Sequence, residues 1–91
     1  MIKVKVFLSL RKIFGQKEIS SEAENIEELL RKLVKQYDGL EDALFKDSKQ
    51  NELRPGIIIL VNGRHIKWPP AISTPLKEGD EVAIFPYICG G

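Results

Sequence analysis

The sequence predicts an α+β fold, one mixed sheet of four to five strands packed on one main helix, and three observations carry that expectation. The first residues alternate apolar and polar side chains, residues 26–37 repeat their apolar positions at helical spacing, and β-branched runs separated by glycine turns return after residue 56. The 91 residues, 43% hydrophobic and 30% charged, have a globular composition with no repeat or compositional break, so one domain is expected. Folding at this size buries roughly 60 to 65% of the surface of the unfolded polypeptide. A catalytic cleft would compete with the core for few apolar side chains, which favours a binding or carrier module.

Ile2, Val4, Val6, Leu8 and Leu10 share one side of the opening segment, and Lys3, Lys5, Phe7 and Ser9 the other, so residues 2–10 read as a half-buried strand. Gly15-Gln16-Lys17 is a turn from which Glu18 to Ser21 returns as a second strand, with Ile19 inward. Ile26, Leu29, Leu30, Leu33, Val34 and Tyr37 then form the stripe of an amphipathic helix. Asn25 is its N-cap, Glu27 and Glu28 suit the positive end of its dipole, and Gly39 is expected to supply a left-handed exit.

Leu40 to Phe45 reads as a short helical turn that puts Leu44 and Phe45 on the core, and Lys46 to Pro55 as a polar surface loop. Ile57 to Val61 is apolar on both faces, the pattern of a covered strand, and Asn62-Gly63 is a strong hairpin signal that folds Arg64 to Ile66 back. Trp68-Pro69-Pro70 interrupts the pairing and is read as a cover for the sheet edge. Gly79-Asp80 makes another turn, and Glu81 to Phe85 is the last strand, with Val82 and Ile84 inward. If that strand lies beside the first, the connection containing the helix covers one sheet face, and the arrangement is a β-grasp of the ubiquitin type.

Charge and cysteine content exclude several functions. Fourteen Lys and Arg against thirteen Asp and Glu give +1, without the basic excess of a nucleic-acid binder. The longest apolar run, Ile57 to Val61, is far shorter than the roughly 20 residues of a membrane-spanning helix. The amino terminus lacks a signal-peptide layout, so a cytoplasmic location is expected. One cysteine, Cys89, and one histidine, His65, cannot build a four-ligand zinc site within one polypeptide.

Residues 1–85 are thus expected to form the folded body and residues 86–91, Pro86-Tyr87-Ile88-Cys89-Gly90-Gly91, a flexible tail reaching at most roughly 20 Å. Two glycines without side chains can thread a channel too narrow for a Cβ and present a carboxylate inside a partner. The series Ile2-Lys3-Val4-Lys5-Val6-Phe7 with Arg11 and Gly15, Val61-Asn62-Gly63, and Leu76-Lys77-Glu78-Gly79-Asp80-Glu81-Val82-Ala83-Ile84-Phe85-Pro86 before Gly90-Gly91 resembles the small ubiquitin-like sulfur carriers of the MoaD and ThiS type, above all the small subunit of molybdopterin synthase.

The resemblance implies a carrier that binds no cofactor and is no enzyme alone. Its Gly91 carboxylate would be adenylated by a separate E1-like activating enzyme, which uses ATP, and converted to a thiocarboxylate. The large subunit of molybdopterin synthase, or another sulfur-acceptor enzyme serving thiamin, cysteine or tRNA thiolation, would take the sulfur. Tyr87 stands where many relatives have a second proline, and Cys89 where a small residue without a thiol is usual. Neither departure touches the reacting carbon.

Phe7, Ala83 and Phe85 fall on the face opposite the core, and neighbouring first and last strands would join the two phenylalanines into an apolar patch beside the tail, with Arg11 at its polar rim. The resembled family docks through this face. The expected partner-binding set is therefore Phe7, Arg11, His65, Phe85, Pro86, Tyr87, Ile88, Cys89, Gly90 and Gly91. His65 has no hydroxyl, thiol or carboxylate placed beside it by the sequence, which suits docking better than general-base work. Cys89 reads as a small apolar filler of the channel; closing a thioester from it onto Gly91 needs a small ring with two peptide bonds that prefer to be trans. Two other functions share these features: a ubiquitin-like modifier joined to lysines, and a non-covalent β-grasp interaction module.

Overall fold

The computed structural model describes residues 1–7, 10–46, 52–68 and 74–86. Five strands, β1 (Ile2–Val6), β2 (Glu18–Ser21), β3 (Ile58–Val61), β4 (Arg64–Ile66) and β5 (Glu81–Phe85), form one sheet in the order β2-β1-β5-β3-β4. The central pair β1·β5 is parallel, with Val4 opposite Val82, and the remaining pairs are antiparallel. This mixed sheet with the helices on one face is the β-grasp arrangement expected from the order of elements.

Helix α2 (Ile26–Gln36) supplies most of the cover. The Asn25 side chain accepts the Glu28 backbone N–H at 2.8 Å, satisfying a donor that the first turn leaves open. Ile26, Leu29, Leu30 and Leu33 are buried on its inner face and meet Ile2, Val4, Val6, Ile59, Val82 and Ile84 from the sheet. The segment after residue 73 is laced to the helix entrance: Ile26 N–H donates to the Thr74 carbonyl at 3.0 Å and Leu76 N–H to that of Glu24 at 2.9 Å. Leu33 is fully buried. Leu33→Ala is expected to cost about 2 to 5 kcal/mol, read as a lower denaturation midpoint with an unchanged slope.

The fold departs from the sequence reading at four places. The first strand stops at Val6, and Leu10–Phe14 forms a short helix, α1, in which Leu10 and Phe14 are buried together. Leu10 continues the alternation on paper, but with Ile13 and Phe14 it also satisfies helical spacing, and the Leu10 N–H to Phe7 carbonyl bond at 3.1 Å turns the backbone that way. Leu8 lies outside the described residues. Helix α2 ends at an extended Tyr37 (φ −117°), so Gly39 (φ 85°) is not its exit but precedes a third helix, α3 (Leu40–Leu44). The expected inward placement of Leu44 and Phe45 holds.

The polar loop is less uniform than its composition implies. Residues 47–51 lie outside the described residues, while Leu53 bridges to Phe45 and packs against the core. Trp68 packs on Phe45 with ring centroids 5.7 Å apart; Pro69 and Pro70 are not among the described residues. Finally, β3 is not covered on both sides. Ile59 and Val61 are buried, but Ile58 is 41% exposed and Leu60 only half-buried, because all three helices lie on the other face. Among the described residues, no helix is long and apolar enough to cross a membrane.

Candidate docking face and tail root

With the helices on one side, the other sheet face remains open. The strand period of two puts Lys3, Lys5 and Phe7 on it from the first strand, Glu81, Ala83 and Phe85 from β5, Ile58 and Leu60 from β3, and His65 from β4. Registers arrange these side chains in rows. Lys5 lies opposite Ala83, Ala83 opposite Leu60, and Leu60 opposite His65. One row nearer the tail, Ile58 lies opposite Phe85, and the rings of Phe7 and Phe85 stack at 4.3 Å with planes 6° apart.

Arg11, from α1, completes a layered arrangement. Its guanidinium sits 5.6 Å from the centroid of the Phe7 ring, and Nε donates to the Val6 carbonyl at 3.1 Å. The rim expected at this position is therefore bonded to the end of β1 and lies over the Phe7 ring. Beside it, Lys5, Val6, Phe7, Arg11, Lys17 and Glu18 line a hollow of 290 Å³.

The end of the face away from the tail is charged. Lys5 Nζ meets Glu81 Oε1 at 2.7 Å, which raises the lysine and holds the Glu81 carboxyl below its usual range. Next to it, the Asp80 carboxylate accepts the Lys77 N–H at 2.8 Å; that backbone bond, and less strongly the neighbouring Asn62 side chain, hold its pKa down. A carboxylate depressed in the folded state adds stability above its unfolded pKa and loses it as pH falls through the folded value. Thermal stability should thus fall on acidification below about pH 4, where carboxylates begin to protonate. Melts of Asp80→Asn should show a shallower acid slope than the unmodified protein.

Of the predicted site residues, the fold brings Phe7, Arg11 and Phe85 into one cluster and places His65 on the same face, exposed, across β3 from Ala83. Pro86, the first residue of the expected tail, is buried. Tyr87, Ile88, Cys89, Gly90 and Gly91 lie outside the described residues. Sequence reasoning missed Ile58 and Leu60. A signal was available: a domain with one covering layer leaves one sheet face open, so a strand apolar on both sides must put half of its side chains there. Among the described residues, no group of His, Cys, Asp or Glu is arranged to hold a metal ion.

Comparison with known proteins agrees with this fold. The chain is 37% identical, over 99% of its length and 98% of the relative's, to an Archaeoglobus fulgidus protein named for a sulfur-carrier role. It is 32% identical, over 99% and 98%, to small archaeal modifier protein 3 of Haloferax volcanii. A Pyrococcus furiosus structure named for subunit 1 of a molybdopterin converting factor superposes with a TM-score of 0.72 at 27% identity, covering 96% of this chain and 97% of that one. Residues 4–91 match the ThiS family from the first strand to the terminal glycine, and this chain belongs to that family of small ubiquitin-like sulfur carriers.

Proposed function

We propose that this protein bears sulfur as a thiocarboxylate on Gly91 and delivers it to an acceptor enzyme that docks on the open sheet face. The observation that carries this reading is the Phe7–Phe85 stack: an apolar anchor whose Phe85 immediately precedes Pro86, the first residue of the segment that ends in Gly90-Gly91. A partner that covers the stack therefore covers the root of that segment.

The chemistry suits a carrier without catalytic groups of its own. A carboxylate is a poor electrophile. In the proposed sequence an oxygen of the Gly91 carboxylate attacks the α-phosphorus of ATP on an E1-like partner, and pyrophosphate leaves. Hydrosulfide, HS⁻, then attacks the acyl carbon and AMP departs as the acyl–oxygen bond breaks; loss of the S–H proton leaves a thiocarboxylate that is ionised and nucleophilic at neutral pH. The body contributes position: the face binds, and the tail reaches into the partner's site.

The large subunit of molybdopterin synthase is the first acceptor to test, supported by the resemblance of the closing block and by the Pyrococcus furiosus likeness. Modification of protein lysines is the second reading, favoured by the name of the Haloferax volcanii relative; it uses the same adenylate with an amine in place of sulfur. Intact-mass analysis after incubation with an E1-like enzyme, ATP and a sulfur donor tests the shared step and the sulfur branch together. A thiocarboxylate that disappears when the large subunit and its pterin precursor are added supports the carrier reading. An adenylate that takes up no sulfur, and ends instead in isopeptide bonds to lysines, overturns it in favour of the modifier.

A further inference from the structure

The Asn62-Gly63 turn lies at the end of the sheet away from the tail and takes no part in the docking face. Both residues have positive φ, 51° and 83°, as a two-residue turn between antiparallel strands requires. Two bonds tie Asn62 to the start of β5. Its backbone N–H donates to the Glu81 carbonyl at 2.8 Å and its Oδ1 accepts the Glu81 N–H at 3.0 Å, while its side chain lies near enough to the Asp80 carboxylate to favour the charged form. Asp80 is itself held by the Lys77 N–H at 2.8 Å.

We propose that Asn62-Gly63 is a deamidation site which this clamp keeps closed in the folded protein. The reaction is intramolecular. The Gly63 backbone nitrogen attacks the carboxamide carbon of Asn62, forming a new carbon–nitrogen bond in a five-membered imide; the bond from that carbon to the amide nitrogen breaks, and ammonia leaves with the proton lost by Gly63. Water then opens either imide carbonyl, giving aspartate or isoaspartate, with no change of oxidation state. Gly63 has no Cβ to hinder the attack, and Asn62 is exposed, so water reaches the imide.

What opposes the reaction is the direction of the amide. Attack requires the carboxamide to swing toward the following residue, and that motion breaks the bond to the Glu81 N–H and takes the amide away from the Asp80 carboxylate. Conversion also damages the turn. Aspartate at position 62 loses the amide donor and sets a second carboxylate beside Asp80, while isoaspartate adds a methylene to a turn that has room for two residues. The first conversion therefore loosens the clamp that prevented it.

The test incubates the full-length protein at fixed temperature and mildly alkaline pH, native and in denaturant, and follows position 62 by peptide mapping that separates aspartate from isoaspartate. Asn25 and Asn51, followed by Ile26 and Glu52, are internal controls with hindered neighbours. Asn62 is expected to convert at least about tenfold faster in denaturant, the ratio for a clamp open less than a tenth of the time. Asp80→Ala and Asp80→Asn, once shown to be folded by circular dichroism, are expected to convert faster than the native protein. Equal rates in native and denatured protein overturn the clamp, and an Asn62 that outlasts the controls in denaturant overturns the site. Folded Asp80 variants as slow as the native protein overturn the role of the carboxylate.

Discussion

A protein extended by one residue beyond Gly91 is expected to form no adenylate and no thiocarboxylate, although it folds and docks as before. The extension turns the α-carboxylate into a peptide carbonyl, which has no anionic oxygen to attack the α-phosphorus of ATP. The loss should be complete rather than partial, because the proposed reaction needs a free α-carboxylate and a side-chain carboxylate does not replace it. The described acidic residues nearest the far end of β5, Asp80 and Glu81, are engaged with Lys77, Asn62 and Lys5 at the opposite end of the strand from the tail. Intact mass after loading reads the chemistry, and titration against the E1-like enzyme reads the docking. An extended protein that still gains sulfur would place the reactive group elsewhere and overturn the assignment of Gly91.

Much of this organisation is legible in the sequence because single residues commit the backbone. Asn25 announces a helix start that it then caps, Asn62-Gly63 adopts the two positive φ values of a tight hairpin, and the alternation of Glu81 to Phe85 puts Val82 and Ile84 inward. Errors arise where one residue satisfies two periods. Leu10 fits both the strand before it and the helix after it, and only the turn at Phe7, set by tertiary packing, decides. Gly39 is legible as left-handed but not as the entrance to α3, since φ says nothing about which helix it serves.

The docking face shows the same division. Phe7 and Phe85 stand out because an aromatic residue at the polar phase of an alternating strand is a misfit. Ile58 and Leu60 do not, because in a continuous apolar run neither phase is marked; their exposure follows from the placement of all the helices on one side of the sheet. Arg11 is visible as a charge near the patch. Its contact with the Phe7 ring depends on α1, which a strand running to Leu10 leaves no room for.

Replacing Phe85 by alanine is expected to weaken association with the E1-like enzyme and with the acceptor enzyme together, by about 2 kcal/mol or roughly 30-fold each, if one face serves both. The magnitude follows from the position of the side chain. Phe85 is half-buried on the open face, flanked by Phe7 and Ile58 and adjacent to Pro86, so a partner that covers the root of the tail must desolvate it. The fold should tolerate the change, because the core lies on the other side of the sheet and the ring contributes to the body mainly through its stack with Phe7, about 0.5 to 1.5 kcal/mol. Phe7→Ala should weaken the same two associations, and the double variant should cost less than the sum, since either change alone breaks the stack. Arg11→Gln separates two roles for the cation: a salt-dependent loss of affinity indicates an ion pair with the partner, whereas a salt-independent loss indicates that Arg11 holds the Phe7 ring in place. One face also means that the two partners compete, so a carrier held by the acceptor cannot be recharged until it is released. Titrations in which Phe85→Ala binds both partners as tightly as the unmodified protein, or in which both bind at once, would remove this face from the mechanism.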